Sequence, residues 1–542
     1  MRIRSKLNKL FLLEGSVCNI GVCLAVLFGI GLRFAPLKTG FPLDYPLNGG
    51  GLYLQFIRTI LNMNFTYPTT IPYYSDGGLP FAYPPLVFYI LAVIATVLPI
   101  SAYDLLLHTP FLFSAATVPV FYLLSRDIFD SNELVLISTL LYAVHPATYN
   151  DFLVTEGLIE AAGTFLFLLG AREALRLTRI PSRLNALRLG GILGITVLAS
   201  PGGGYGLALL SVSCGVVTIG LTRTRKTVAS FCLAAVIGIA ISAFWWGIVA
   251  LKHGFEPIAN GILRSTRYTF DQFILDILHF RGDKLIISLT EPIFVSLFFI
   301  GTVIFLTGDR VWMSIAVGGG AVQISQELGY IVPIFAFLAV TAGIAGTADL
   351  AAERLSMQWE EAEFKLLAIS EIPVQQILTW LLTIFLILTT VTSAAAIAMQ
   401  SQQPDRVTER IEGEMTAMTW VASETPSDAS FLMITGRDEW WARDWGPTQM
   451  QRTVVNVPYG REVIGPDAAR QYRLENQRLR RHTTVADVES HSRQLGWKYD
   501  YVYISTADSE DQLLNSYRTT DCYVAEFSNK EAVIFHRQCW NT

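Results

Sequence analysis

Charged residues are distributed very unevenly along this chain. It has 542 residues, with 40 Lys and Arg and 45 Asp and Glu, so that 16 % are charged. Residues 400–542 carry 37 of these charges, whereas residues 1–399 carry only 48, or 12 %. An average soluble domain has about 25 % charged residues. We therefore predict two domains, a membrane body over residues 1–399 and a soluble domain, here called the tail, over residues 400–542.

Apolar runs close to 20 residues, the length that crosses a bilayer core, recur throughout the body. The whole chain has a mean hydropathy of +0.42. We predict a polytopic α-helical membrane protein with about eleven spans and a C-terminal α/β domain. The predicted spans cover residues 15–34, 106–124, 133–146, 157–171, 189–201, 203–221, 227–250, 293–308, 311–325, 329–347 and 374–398.

The orientation follows from three basic segments beside these spans. They lie at residues 2–9, 172–188 and 223–226. Short loops rich in Lys and Arg stay in the cytoplasm, and eleven spans place all three segments there. This count predicts a multi-pass cell-membrane protein with a cytoplasmic N-terminus and an extracytoplasmic tail.

One apolar stretch does not fit this count. Residues 84–100 are short for a span, open with Pro84-Pro85 and close at Pro99. A crossing there would invert the orientation of the basic segment at 172–188. We therefore expect a helix that lies at the outer membrane interface. Residues 36–105 then form one long external segment, here called loop one.

Four predicted external segments carry carboxylates next to the membrane, where such groups are costly and usually face a cavity or a partner. The third of them, residues 251–292, also carries a basic cluster. Carboxylates beside basic groups suit a sugar hydroxyl that attacks an anomeric carbon whose leaving group is a phosphate. A carboxylate would take the proton, and Lys or Arg would hold the phosphate. The candidate acids are Asp44, Asp76, Asp151, Glu156 and Glu291.

Each candidate also has a structural explanation. Asp44 precedes Pro46 and Asp76 precedes Gly77-Gly78, both common turn patterns. Asp151 and Glu156 lie at a predicted span boundary, where solvation at the membrane interface is enough to explain charged side chains. Glu291 lies at a predicted helix start, where the positive end of the helix dipole favours an acid. Contacts with lipid headgroups alone would explain the basic side chains of Arg58, Arg264 and Arg267. Both explanations stay open for Asp151, Glu156, Arg58, Arg264 and Arg267.

The tail alternates a helical stretch at 411–424 with strand-like runs that read FLMIT, TVVNV, YVYI, CYVAEF and AVIFH. The last two flank a polar turn, and pairing Phe527 with Ile534 places Tyr523 opposite Gln538 and Cys522 opposite Cys539. Opposed residues of an antiparallel pair have the separation that a disulfide needs. We therefore predict a Cys522–Cys539 disulfide. The alternative is two unrelated thiols, because a register shifted by one residue would point them to opposite faces. The phrase RDEWWARDW at 437–445 is explained by sugar binding or by a buried aromatic anchor.

The order of these features resembles the C-type (GT-C) integral membrane glycosyltransferases, in particular prokaryotic members related to protein-mannosyltransferases and aminoarabinose transferases. The stretches NGGGLYLQFIR and LPFAYPPLVFYILA resemble the loop-one signature of this class. The phrases MTWVASETPSDASFLMITG, VVNVPYGREV and DYVYIS resemble its extracytoplasmic domain. The resemblance implies a polyprenyl-phosphate-linked sugar donor and catalytic carboxylates in the first two external loops.

Two positions depart from this class. Many relatives have an acid directly before the helix that opens loop one, where this chain has Asn48, and the nearest acid is Asp44. Relatives often have another acid before the Pro-Pro helix, where this chain has Ala82 and Tyr83, and the nearest is Asp76. Either these duties pass to Asp44 and Asp76, or the activity is altered or lost.

The sequence therefore predicts a glycosyltransferase that uses Asp44 as its base. Asp76, Asp151 and Glu156 would position the donor or acceptor, directly or through a divalent metal ion. The acceptor would be a glycan, a lipid or a protein, the chain would contact membrane lipids, and no basic excess indicates nucleic acid. A transporter or flippase of lipid-linked glycans is the alternative, although no internal repeats support it. The substrate-binding candidates are Asn48, Arg58, Lys252, His253, Arg264, Arg267 and Glu291.

Overall fold

The structure is a computed structural model that describes most of the chain. The described residues are 15–38, 50–145, 148–149, 152, 157–222, 224–264, 291–323, 331–361, 383–384, 404–435, 440–465, 467–506 and 511–539.

Within the described residues, the body is helical where the apolar runs predict it. The helices in chain order are α1 (Gly15–Lys38), α2 (Gly50–Asn62), α3 (Leu86–Val97), α4 (Ala102–Ile128), α5 (Asn132–Val144), α6 (Gly157–Arg179), α7 (Arg183–Ala199), α8 (Pro201–Thr222), α9 (Arg225–His253), α10 (Glu256–Arg264), α11 (Glu291–Leu306), α12 (Arg310–Gln323) and α13 (Val332–Glu361).

Ten of the eleven predicted spans fall on these helices, and the eleventh, at 374–398, lies almost entirely outside the described residues. Within the described part of the chain, α4, α8 and α9 are long and apolar enough to cross a membrane. Five other apolar segments, in α1, α3, α5, α11 and α13, are shorter. The count of eleven spans stays a prediction.

Helices of the body pack closely where glycine removes a side chain. A Cβ on Gly301 of α11 would lie 1.7 Å from the carbonyl oxygen of Ala339, and one on Gly343 of α13 would lie 1.9 Å from that of Leu297. The two helices therefore touch backbone to backbone, as small residues allow in membrane bundles. Beside them, α4, α5, α6, α8 and α12 share one buried apolar cluster with α13.

Loop one forms a compact unit rather than an extended linker. It contains α2, a short antiparallel hairpin of β1 (Thr70–Ile71) and β2 (Leu79–Pro80), and α3. Helix α3 has 12 residues and rises about 18 Å, which is too short to cross a bilayer core. One side of α3 is buried, including Phe88 and Leu91, while Ile90 and Val93 are exposed.

The tail is an α/β domain around a five-stranded sheet. Its elements are α14 (Pro404–Glu424), β3 (Ser430–Ile434), α15 (Trp440–Met450), β4 (Thr453–Val454), α16 (Ala468–Leu479), α17 (Val485–Gln494), β5 (Tyr501–Ser505), α18 (Asp511–Arg518), β6 (Tyr523–Ser528) and β7 (Ala532–Arg537). The strand order is β4-β3-β5-β7-β6. Strand β3 is parallel to β4 and β5, and β7 is antiparallel to β5 and β6.

Alternation along the strands gives the sheet two apolar faces. On one face, Leu432 and Val502 pack with apolar residues of α16, α17 and α18. On the other face, Phe431, Met433 and Tyr503 belong to a cluster that also contains α2, α3 and β2 of loop one. The tail sheet and loop one therefore share one hydrophobic core.

The predicted β6–β7 hairpin forms, with one correction to its register. Phe527 pairs with Ile534 as predicted, but a bulge between Ala525 and Phe527 shifts the rest by one residue, so that Tyr523 lies opposite Arg537. The expected pairing of Tyr523 with Gln538 is therefore wrong, because a bulge adds one residue to one strand only. The disulfide between Cys522 and Cys539 is nevertheless present, just past the strand ends, with the Cα atoms 4.9 Å apart.

Candidate active site

Six of the eleven candidate site residues named from the sequence lie within the described part of the chain, namely Arg58, Asp76, Lys252, His253, Arg264 and Glu291. Helix α10 ends at Arg264 and helix α11 begins at Glu291. The residues that lie outside the described part of the chain are Asp44, Asn48, Asp151, Glu156 and Arg267.

Asp76 lies at the tip of the β1–β2 hairpin. Its side chain is exposed, and the turn is closed by a hydrogen bond from the Gly78 amide to the Ser75 carbonyl, 3.1 Å long. Gly77 and Gly78 both have positive φ, of 82° and 85°, which glycine adopts at no steric cost. The turn alone thus accounts for Asp76-Gly77-Gly78, and a role in substrate binding stays a prediction.

The end of α9 brings basic groups next to loop one. The Lys252 ammonium lies 3.5 Å from the carbonyl oxygen of Tyr67 and 5.6 Å from the centroid of its ring. The neighbouring His253 has a buried Nε2 with no hydrogen-bond partner among the described residues. Two helical turns before Lys252, the Trp245 indole donates a hydrogen bond to the Ala82 carbonyl over 3.2 Å. This bond connects α9 to the segment before α3.

The N-terminus of α2, which follows Asn48 in the sequence, rests on a carboxylate of the tail. The Gly51 amide donates to Oδ2 of Asp444 over 2.9 Å, and the Leu52 amide donates to Oδ1 over 3.2 Å. Asp444 has no exposed surface. The first amides of a helix have no partner within the helix, and a carboxylate satisfies both these amides and the positive end of the helix dipole.

Further hydrogen bonds surround this contact. The Thr448 hydroxyl donates to the Gly51 carbonyl over 2.7 Å, and the Tyr74 hydroxyl donates to the backbone carbonyl of Asp444 over 2.6 Å. Two turns along α2 from Gly51, the Arg58 guanidinium donates to the Thr448 carbonyl over 3.0 Å. Arg58 thus joins loop one to the tail, a contact that the sequence did not predict.

Burial decides the charge states around this junction. Burial, and then the nearby Asp444 carboxylate, raise the pKa of Tyr74 well above its ordinary value, so that its hydroxyl stays protonated and can donate. Burial lowers the pKa of the Arg58 guanidinium, and the neighbouring Tyr74 opposes this shift. Arginine nevertheless keeps its charge at neutral pH, because its ordinary pKa is above 12.

The phrase RDEWWARDW contributes the residues that sequence reasoning missed. Trp445 is fully buried, and its ring centroid lies 5.9 Å from that of Tyr103 on α4. Two explanations were given above for this phrase, and the burial of Trp445 fits the one of a buried aromatic anchor. Asp444, the residue before it, binds the first amides of α2. The signal was an acid within an aromatic cluster, but nothing in the sequence indicated that its partner is Gly51.

The described residues offer no ready metal centre. Among them, no three His, Cys, Asp or Glu side chains come together in a way that could hold a metal ion. Of the acids predicted to act directly or through a metal, Asp76 lies within these residues, and Asp151 and Glu156 lie outside them. A metal requirement therefore stays a prediction.

The solved structures with a similar fold include archaeal oligosaccharyltransferases and ArnT. The archaeal oligosaccharyltransferase AglB from Archaeoglobus fulgidus, in complex with an inhibitory peptide and a dolichol-phosphate, matches with a TM-score of 0.59 and 14 % identity over 90 % of this chain and 69 % of its own. The oligosaccharyltransferase of the same organism, tethered to an acceptor peptide with the NVT sequon, gives a TM-score of 0.55 at 14 % identity, over 91 % and 69 % of the two chains.

ArnT from Cupriavidus metallidurans, in the apo state, has a TM-score of 0.53 at 14 % identity and matches over 93 % of this chain and 97 % of its own. No protein-family model and no curated protein sequence matches the chain. At this level of identity the likeness is one of fold. The resemblance seen in the sequence is confirmed at that level: the chain has the GT-C fold.

Proposed function

We propose that this protein is a membrane glycosyltransferase of the GT-C class. It transfers a sugar from a polyprenyl-phosphate-linked donor to a glycan, lipid or protein acceptor on the extracytoplasmic side. The observation that carries the proposal is the junction of loop one with the tail. There the helix that follows Asp44 and Asn48 is fixed at its N-terminus by Asp444, in a chain with the fold of AglB and ArnT.

The chemistry is a displacement at the anomeric carbon. The Asp44 carboxylate takes the proton of an acceptor hydroxyl, and the hydroxyl oxygen forms a bond to the anomeric carbon. The bond from that carbon to the phosphate oxygen breaks, and the polyprenyl phosphate leaves with the electron pair. One displacement inverts the configuration of the sugar. Asp76, Asp151 and Glu156 orient the donor or the acceptor.

Basic groups beside loop one support the choice of a phosphate leaving group. Lys252 lies against Tyr67 at the end of α9, and α10, which follows it, ends at Arg264. Cationic side chains form strong hydrogen bonds to phosphate and stabilise its developing charge. AglB of the same fold was solved with a dolichol-phosphate and an inhibitory peptide, which supports a lipid phosphate and an acceptor as ligands of this chain.

A donor panel tests the proposal. The full-length protein in lipid nanodiscs is incubated with polyprenyl-phosphate mannose, glucose and aminoarabinose, together with simple glycoside acceptors. Mass spectrometry then measures free polyprenyl phosphate and glycosylated acceptor. We expect at least one donor to be consumed with stoichiometric product, and consumption to fall by about 10²-fold or more in Asp44→Asn.

The matched control is Asp428→Asn, because Asp428 is an exposed carboxylate of the tail. It should behave as the wild type. Intact donors throughout, combined with movement of a labelled donor between the leaflets of reconstituted vesicles, would contradict the transferase and favour a lipid-linked-glycan transporter.

A further inference from the structure

Helix α2 lacks the residues that normally begin a helix. It starts at Gly50 after Gly49, and its first turn has no acidic residue. Ser, Thr, Asp or Asn usually fill the cap position and accept the first free amides through a side chain, which glycine cannot do. Glycine also lowers the intrinsic stability of a helix. The start of α2 therefore depends on a partner from elsewhere in the chain.

That partner is Asp444, which is 393 positions from Gly51. Each of its carboxylate oxygens accepts one amide of the first turn, from Gly51 and from Leu52. The contact is also close along the backbone, because a Cβ on Gly51 would lie 2.2 Å from the Asp444 carbonyl oxygen and 2.7 Å from Cα of Trp445. The first turn of α2 is thus in direct contact with the backbone of α15.

The same geometry excludes Asp444 as the base. Both carboxylate oxygens already accept amides, and the side chain has no exposed surface from which to reach an acceptor hydroxyl. Asp444 can act on the reaction only through the position of α2.

We propose that Asp444 is a positioning residue, which fixes the start of α2, the helix that follows the predicted base Asp44 in the sequence. This role rests on the proposed transferase function. Asp444 supplies the cap that the glycines at the start of α2 lack.

The first measurement needs no activity. Hydrogen–deuterium exchange of full-length protein in nanodiscs follows peptides that cover residues 50–62. Asp444→Asn replaces one amide-accepting oxygen with an NH₂ group, so we expect exchange in these peptides to rise about tenfold or more. Thr448→Val removes the bonds of this hydroxyl to the Gly51 carbonyl and the Tyr74 hydroxyl but keeps the Asp444 carboxylate, so it should raise exchange less and serves if Asp444→Asn does not fold.

The matched control is Asp500→Asn. Asp500 accepts the amide and the hydroxyl of Ser430, both over 2.9 Å, but within the tail. It should leave the exchange of residues 50–62 unchanged. An equal rise in both variants would mean general loosening of the tail and would overturn the specific role of Asp444.

The second measurement separates positioning from stability. With the polyprenyl-phosphate sugar that the wild type consumes fastest in the panel above, Asp444→Asn should lower kcat at least tenfold, with KM for the donor changed by less than threefold. Faster exchange with unchanged kcat would overturn the proposal and leave a purely structural cap. If the wild type consumes no donor, the role in transfer is lost with the proposed function, while the exchange data still decide whether Asp444 holds α2.

Discussion

Replacing Gly51 by alanine tests the junction of loop one and the tail by a single methyl group. The new Cβ would lie 2.2 Å from the carbonyl oxygen of Asp444, 2.6 Å from its carbonyl carbon and 2.7 Å from Cα of Trp445. These are backbone atoms, so no side chain can rotate away. The two backbones must separate by about 1 Å to restore ordinary van der Waals contact.

That separation acts on the hydrogen bonds of the junction. It stretches the Gly51–Asp444 bond of 2.9 Å and the Thr448–Gly51 bond of 2.7 Å beyond useful length. Overpacking costs about 1–3 kcal/mol, and losing a hydrogen bond to a charged group costs about 1.5–3 kcal/mol. Alanine returns about 1 kcal/mol through its better helix propensity. We expect a net loss of roughly 2–5 kcal/mol.

The matched control is Gly31→Ala, because Gly31 lies in helix α1 with nothing within 4 Å of an added Cβ. The assay is the midpoint of thermal unfolding in detergent, followed by size-exclusion chromatography of the heated samples. Gly51→Ala should lower the midpoint by at least about 4 °C, and Gly31→Ala should leave it unchanged or slightly raised. Midpoints within 1 °C of each other, a difference of about the measurement error, would refute the close approach of α2 to α15.

Three other predictions concern single groups. Asp44→Asn should reduce donor consumption by about 10²-fold or more, whereas Asp76→Asn, at an exposed hairpin tip, should reduce it by no more than about tenfold in the same mass-spectrometric assay. A non-reduced digest should contain one peptide pair linked through Cys522 and Cys539, and separate alkylated peptides would contradict the disulfide; its reduction should cost about 3 kcal/mol of tail stability. Arg452→Met removes donors to the carbonyls at the end of α14 and should lower the free energy of unfolding by about 3 kcal/mol, measured by denaturant titration.

Helices and strands with a strong local pattern were predictable from the sequence. Apolar runs such as 227–250 fall within α9, and the alternation in YVYI fits β5, whose residues face the two sides of the sheet in turn. These patterns work because burial on one face repeats at the period of the element. Which helices cross the membrane, and in which direction, depends on the bilayer and is not contained in the fold alone.

The β6–β7 register shows where local patterns stop being informative. The turn at 528–531 and the pairing of Phe527 with Ile534 follow from the sequence, but the bulge before Phe527 does not. Most side chains of β6 are exposed, so no buried face fixes their alternation. A sheet edge of this kind specifies its register weakly. The cysteines still meet, because they lie beyond the strand ends, where the chain can adjust by one residue.

The start of α2 could not be predicted for a different reason. Three consecutive glycines at 49–51 are a poor beginning for a helix when only the local sequence is considered. At Gly51 the missing side chain is what allows α15 to approach, and the missing cap is supplied by Asp444 of the tail. A residue that lowers the helix propensity of loop one thus creates the contact that stabilises its helix. It follows that loop one and the tail must reach their native structure together, because neither the amides of α2 nor the buried Asp444 carboxylate is satisfied by this contact until both are in place.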